Sequence, residues 1–218
     1  MKIAYRKPSA EDLDNINYFI TNIFAEVEPV SKSLGLCKEC FGGWANSPEI
    51  SIPKESLDSG LSLLVEDEGK VIGARLVSIC RRVTNVDEDN VIDFKGCDKC
   101  LDKEDKFNRF LKMFSKVRNS VWKLVPPDVN VLAHREMSGI KTEYQRKGIG
   151  RQLAEKDFSD DFLKTLGIDG IISETSSIAN QHLLKTLGFK PLNEEKYSDY
   201  DIHPVDGSTS LILNFKKI

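Results

Sequence analysis

A chain of 218 residues, 40% hydrophobic and 30% charged, is long enough to bury a core without disulfide staples. Its formal net charge of −3 argues against a nucleic-acid or anionic-membrane binder, which would show a dominant basic surface. No run reaches the ~18 consecutive apolar residues of a membrane span, and the opening MKIAYRKPSAED turns charged before an apolar stretch of signal-peptide length develops, so the expected location is the cytoplasm.

In chain order, residues 3–6 read as a short strand. Ser9, three residues before Asp12, gives a helix N-cap with an acidic first turn. Leu13, Ile16, Phe19, Ile20, Ile23 and Phe24 follow at helical spacing, which predicts an amphipathic helix over 10–26 that Pro29 ends. A second short helix is expected within 35–46, and Pro48 and Pro53 mark a loop after it. Residues 61–65 and 71–78 are apolar, β-branched runs parted by acidic residues and Gly69, a strand–turn–strand signal. Residues 85–100 read as a polar loop. Phe107, Phe110, Leu111, Phe114, Val117, Val121 and Trp122 then repeat at three and four, a long helix closed by Pro126-Pro127.

Residues 129–140 read as a strand, and 148–166 as one helix ended by Gly167 in the position of a C-cap glycine. A short strand over 168–173, a helix over 179–187 ended by Gly188, and strands over 189–197 and 210–215 complete the chain. The order predicts a single α+β domain over 1–218, with helices interrupting a mainly antiparallel sheet and at least one strand–helix–strand unit.

The five cysteines, an odd count, suit thiols in a reducing compartment. Four form two C-x-x-C pairs, Cys37–Cys40 and Cys97–Cys100, a spacing that tetrahedral zinc can use. The gap at residues 41–96 is far longer than the ~15–20 residues of compact zinc modules. Neither a glycine knuckle nor a histidine flanks either pair, so the expectation is incidental thiols and no metal. His134, His182 and His203 are isolated, without metal spacing.

The segment that carries chemistry is 137–153. A strand runs into Gln145-Arg146-Lys147-Gly148-Ile149-Gly150, where a helix starts, and Arg151 follows. A helix start offers unpaired N–H groups and a partial positive charge, glycines allow close backbone approach, and three cations stand beside it. This is a pyrophosphate cradle. The segment lacks the Gly-Lys-Ser/Thr of a P-loop, and Leu153 stands where a dinucleotide fingerprint has its third glycine.

Gln145-Arg146-Lys147-Gly148-Ile149-Gly150 resembles the Q/R-x-x-G-x-G/A signature of the GNAT acyltransferases, which binds the CoA pyrophosphate, and the helix ending Leu187-Gly188-Phe189 resembles a second feature of that family. The resemblance is carried by residues 130–190. It implies a GNAT fold, a splayed mixed sheet of about seven strands flanked by helices, with acetyl-CoA or another acyl-CoA as cosubstrate in the wedge between the strand ending near Ile140 and the next. A narrower pattern is similar to the arylalkylamine (dopamine) N-acetyltransferases of invertebrates: Glu28-Pro29 after the first helix, Ser176-Ser177 before the last motif helix, and Tyr197 and Tyr200 near the end. Those enzymes carry Asp-Glu-Pro where this chain has Val27-Glu28-Pro29, with the glutamate as general base. A second family serine falls at Asn180 here, and Leu184 stands where many GNAT enzymes keep a tyrosine acid.

The mechanism implied is direct attack of a small primary amine on the acyl thioester. Glu28 would be the base, the Ile140 N–H would hydrogen-bond the thioester oxygen, and Ser176 is a candidate proton donor. Rival acceptors are a polyamine, an amino acid, an aminoglycoside or a protein lysine, and the rival outside enzymes is an inactive CoA-binding sensor. The sequence leaves the oligomeric state open.

Overall fold

The computed structural model describes residues 1–35, 37–47, 50–82, 98–100 and 104–218. β1 (Ile3–Arg6) turns into α1 (Leu13–Phe19), which continues through a π turn at Ile20–Phe24 into α2 (Ala25–Val27). The turn between β1 and α1 is fixed by Asp12, whose carboxylate accepts from the Ser9 N–H at 2.8 Å and pairs with Arg6 at 2.6 Å. α3 (Pro29–Leu34), α4 (Lys38–Ala45) and α5 (Ile52–Asp58) follow, then the hairpin of β2 (Leu63–Asp67) and β3 (Lys70–Arg81). α6 (Glu104–Asn119) and α7 (Val121–Leu124) lead to β4 (Val131–Ile140), α8 (Ile149–Glu155), α9 (Asp160–Thr165), β5 (Gly170–Thr175), α10 (Ile178–Thr186), β6 (Lys190–Lys196) and β7 (Ser210–Lys217).

The strands form one seven-stranded sheet in the order β1-β2-β3-β4-β5-β7-β6. Neighbours are antiparallel except β4 and β5, which the α8–α9 crossover makes parallel. Alternate residues feed opposite faces. Leu132 and Ile172 pack with α6, whereas Ala133 and Ile171 pack with Leu163 of α9 and Leu184 of α10. α1, the π turn, α4 and α5 cover the β2–β4 end of the first face, and α8 covers that end of the second through Ile149 and Leu153. Among the described residues no helix is long and apolar enough to cross a membrane.

The helix expected over 148–166 is two helices. Asp157 adopts φ 51°, and Ser159 starts α9 as an N-cap, its hydroxyl accepting from the Phe162 N–H. A buried cation drives the break. The Arg75 guanidinium donates to the Leu153 carbonyl at 2.7 Å and the Lys156 carbonyl at 3.0 Å, capping α8, and lies 4.2 Å over the Phe158 ring. Cationic groups are favoured at helix C-termini, where carbonyls lack partners. The long helix expected past Phe107 also divides, at Ser120 between α6 and α7. Pro53 lies in the first turn of α5 instead of in a loop, because a proline is tolerated there. Pro48 and most of the loop expected over 85–100, with Cys97, lie outside the described residues.

Candidate active site

Proline chemistry places Glu28. The residue before a proline is pushed out of the α region, and Glu28 sits at φ −72°, ψ 120° between α2 and α3. Pro29 takes the first turn of α3, where its missing N–H is no loss. Glu28 thereby becomes an N-cap: its carboxylate accepts from the N–H of Val30 at 3.1 Å and of Ser31 at 2.5 Å. The π turn just upstream is a distortion that helices often carry at functional sites. Glu28 is 6% exposed and lines a cavity of about 420 Å³.

The cavity lining joins aromatic side chains, from Phe24, Phe41, Trp44, Phe110 and Phe114, to acids that include Glu55, Glu136 and Glu174. Glu136 owes its place to a β-bulge. Leu76 faces Met137 and Val77 faces Arg135 across the β3–β4 ladder, so Glu136 is the extra residue. Bulges re-aim side chains in this way. The Glu136 carboxylate accepts from the Ser78 hydroxyl at 2.5 Å and meets His134 Nδ1 at 2.9 Å and Arg118 Nη2 at 3.2 Å. His134 Nε2 lies 2.5 Å from Glu174 Oε2 on β5.

Burial alone would neutralise His134, Glu136 and Glu174, and their mutual pairing reverses it. Glu136 and Glu174 together raise His134 well above its ordinary 6.5. Arg118 and His134 hold Glu136 below the usual carboxylate range, and His134 does the same for Glu174. Two cations therefore balance two carboxylates. Glu55 moves the other way, pushed up by burial and by Glu136. Two residues of the cavity lining carry a buried polar atom with no hydrogen-bond partner among the described residues: Glu174 Oε1, an acceptor, and Trp44 Nε1, a donor.

On the opposite side of the β4 terminus lies the Gln145–Gly150 segment. Arg146 at φ 57° and Gly148 at φ 78° take left-handed conformations that turn the chain into α8. A Cβ built on Gly148 or Gly150 meets nothing within 4 Å, so the approach to this helix start is open. Gln145 donates to the Ile140 carbonyl at 2.9 Å, Lys147 to the Glu143 carbonyl at 2.8 Å, and Arg151 pairs with Glu155 at 3.2 Å. Arg146 is exposed and Ile149 is buried against β2 and β3.

Ile140 sits between the two regions. The Lys141 N–H donates to the Ile72 carbonyl, which makes Ile140–Gly73 the neighbouring narrow pair. In such a pair the N–H and C=O point away from the partner strand, so the Ile140 N–H is directed to the β5 side. There β4 is uncovered, because its ladder with β5 spans just Leu132–His134 against Gly170–Ile172. Gly73 permits this closeness: a Cβ on it would lie 2.4 Å from Ile140 Cδ1.

Ser176 lines the cavity, and its carbonyl accepts from the Tyr197 hydroxyl at 3.1 Å. Ser177 instead N-caps α10, its hydroxyl accepting from the Asn180 N–H. Neither Tyr197 nor Tyr200 is on the cavity lining. Tyr197 is buried under Ser176, and the Tyr200 hydroxyl donates to Glu195 at 3.1 Å. Leu184 is fully buried in the core.

No protein-family model matches the chain, and no curated relative matches it by sequence. Solved structures do. Arylalkylamine N-acetyltransferase 2 of Aedes aegypti superposes with a TM-score of 0.77 at 16% identity, over 100% of both chains. The polyamine N-acetyltransferase of Drosophila melanogaster, which forms N-acetylagmatine, gives 0.69 at 14% over 100% of both. The C-terminal condensation domain of Ebony, in complex with β-alanyl-dopamine, gives 0.69 at 16% over 100% of both. The fold is that of the GNAT acyltransferases.

On this GNAT fold, Glu28, Ser176 and the acids at 136 and 174 share one cavity, while Gln145–Gly150 and Ile140 are not on its lining. The sequence did not point to Glu136, Glu174, Glu55, Arg118 or Trp44. One signal was present: His134-Arg135-Glu136, three ionisable residues in the middle of an apolar strand. Burying them requires pairing.

Proposed function

We propose that the protein is an acyl-CoA-dependent N-acyltransferase that acetylates a small, cationic arylalkylamine by direct attack. What supports this most is the cavity, whose lining joins aromatic side chains to carboxylates that include Glu28. Alkyl ammonium groups have pKa values near ~10.4 and arrive protonated. Aromatic faces and a carboxylate hold such a group, and a base must then remove its proton.

Glu28 is that base. The freed amine attacks the thioester carbon. The carbonyl oxygen gains charge and takes a hydrogen bond from the Ile140 N–H. The intermediate collapses with release of the CoA thiolate, a leaving group whose thiol pKa of ~8.5 needs little help. The proton left on the attacking nitrogen is lost to solvent, and Ser176, a residue of the cavity lining, is the candidate proton donor to the thiolate. Gln145, Arg146, Lys147, Gly148, Ile149, Gly150 and Arg151 form the acyl-CoA cradle, with backbone N–H groups at the open start of α8 for the pyrophosphate.

Charge balance selects the acceptor. A polyamine needs a second carboxylate for its second ammonium. Glu136 and Glu174 already face His134 and Arg118, and Glu55, the other acid beside Glu28 on the lining, is pushed up by burial and by Glu136, so the cavity suits one ammonium better than two. Release of CoA thiol, measured over a panel of arylalkylamines, polyamines, amino acids and a lysine peptide with acetyl-CoA and longer acyl-CoAs, tests the reading. Turnover is expected with arylalkylamines. Preference for polyamines would move the substrate class, and CoA binding without release over the whole panel would mark an inactive sensor.

A further inference from the structure

The sequence spacing gave no reason to expect the two C-x-x-C pairs to meet, yet the fold brings three of their four cysteines together. The Sγ atoms of Cys37, Cys40 and Cys100 all lie within 4.8 Å of one another. Thiolates around a tetrahedral zinc, each about 2.3 Å from the metal, are about 3.8 Å apart. No disulfide links the three. Cys40 is 8% exposed, Cys100 is fully buried, and Cys37 is half-buried, which leaves one side for a metal to reach.

The backbone orients the sulfurs. Cys37 is the N-cap of α4, and its Sγ accepts from the Cys40 N–H at 3.4 Å. The Cys37 N–H in turn points at Cys100 Sγ, at 3.3 Å. The 41–96 gap fails as an argument against a site because chain length between the pairs is irrelevant once α4 and the residues before α6 pack on the same core cluster. The sequence repeats the C-x-x-C spacing at Cys97–Cys100, and Cys97 lies outside the described residues.

We propose that Cys37, Cys40 and Cys100 hold a structural zinc ion. Soft thiolates select zinc over oxygen-seeking cations, and beside three protein sulfurs a water would take the fourth tetrahedral position. Binding releases the thiol protons to solvent. The ion would tie the N-terminus of α4 to the segment entering α6. Those two helices supply Phe41, Trp44, Phe110 and Phe114 to the cavity, so the metal would fix cavity walls without touching the reacting atoms. The proposal does not depend on acyl transfer.

The test is the metal content of the full chain, purified from zinc-supplemented medium without chelator and measured by mass spectrometry. About one zinc per chain is expected, falling at least fivefold in Cys37→Ser and Cys100→Ser and unchanged in Cys80→Ser. Should those variants fail to fold, cobalt added to the chelator-treated wild-type protein gives the second readout: sulfur-to-cobalt charge transfer and the visible bands of a tetrahedral ion. Three results overturn the proposal. One is wild-type protein that carries no zinc and gives no such cobalt spectrum. Another is iron in place of zinc. The third is zinc that persists in folded Cys37→Ser and Cys100→Ser.

Discussion

His134 and Glu174 stand on neighbouring parallel strands with Nε2 and Oε2 2.5 Å apart, and His134 occupies the last rung before β4 and β5 part. The buried ion group thus sits at the root of the splay, where the sheet loses its own hydrogen bonds. It couples the two strands by charge at the point where the ladder stops.

The first prediction is the charge state of His134. Its folded pKa is raised above 6.5 by Glu136 and Glu174, so its contribution to stability is full below about 6.5 and is lost as pH rises through the folded value. Glu136 and Glu174 are shifted down, so theirs is present above the ordinary carboxylate range and is lost as pH falls through their folded values. Nitrogen-15 NMR of the imidazole is expected to show both ring nitrogens protonated at neutral pH. A neutral tautomer there would be the contrary result. His134→Gln leaves two buried carboxylates facing each other and should destabilise by about 3–5 kcal/mol.

A second prediction concerns Arg75, which is fully buried and bonds the carbonyls of Leu61 at 2.9 Å, Leu153 at 2.7 Å and Lys156 at 3.0 Å. Burial, with some help from Arg135, pushes its pKa down to about 9, so it keeps its charge at neutral pH. Arg75→Met fills the space and strands these acceptors. It should cost at least about 2 kcal/mol in urea melts. A wild-type midpoint would mean that α8 needs no cap.

How far these features could be read from sequence differs by scale. Helix and strand periodicity is local, so the order of strands and most helices was legible, and Gly167 and Gly188 fell where left-handed backbone was needed. The split of α8 from α9 was hidden because no glycine or proline interrupts residues 151–166. The agent is Arg75, remote in the chain. Glu136 was hidden for a related reason: a bulge belongs to the pairing of two strands, and no single strand displays it. The cysteine cluster likewise depends on where two distant segments return.

The third prediction separates the cradle glycines. Gly148 is left-handed, so a side chain there strains the backbone whatever binds. Gly150 has no positive φ, and a Cβ on it has open space. Gly150→Val should therefore leave the thermal midpoint close to wild type while filling the approach to the helix start. CoA affinity should fall more than tenfold, about 1.4 kcal/mol, in calorimetry. Unchanged affinity would remove the cradle from this segment.

The fourth concerns the cations beside it. Lys147 and Arg151 already have local partners in Glu143 and Glu155, whereas Arg146 is exposed. Arg146→Ala should narrow any preference for CoA over dephospho-CoA at low salt, and rising salt should mimic it, because exposed charges are screened. Equal affinity of the wild-type protein for the two ligands would make this a solvated face.

The last prediction is the sharpest for amine chemistry. Glu28 caps α3 through two N–H groups and faces the cavity, so a substitution tests two roles at once. Glu28→Gln keeps one carbonyl acceptor for the cap, and losing the other should cost about 1 kcal/mol of stability. It removes the base entirely, and kcat should fall by ~10²–10⁴, far more than the cap effect explains. CoA affinity should hardly change, since Glu28 is apart from Gln145–Gly150, and the acidic limb of the pH–rate profile should move or vanish. A folded Glu28→Gln enzyme with near-normal kcat and an unmoved profile would make Glu28 a cap alone. The search for the base would then stay inside the cavity. Glu26 is on the surface, paired with Lys38 at 3.1 Å, whereas Glu174 is on the cavity lining and has a buried oxygen with no partner among the described residues. Glu174→Gln is accordingly the next variant, and loss of turnover there with Glu28 intact would transfer the role.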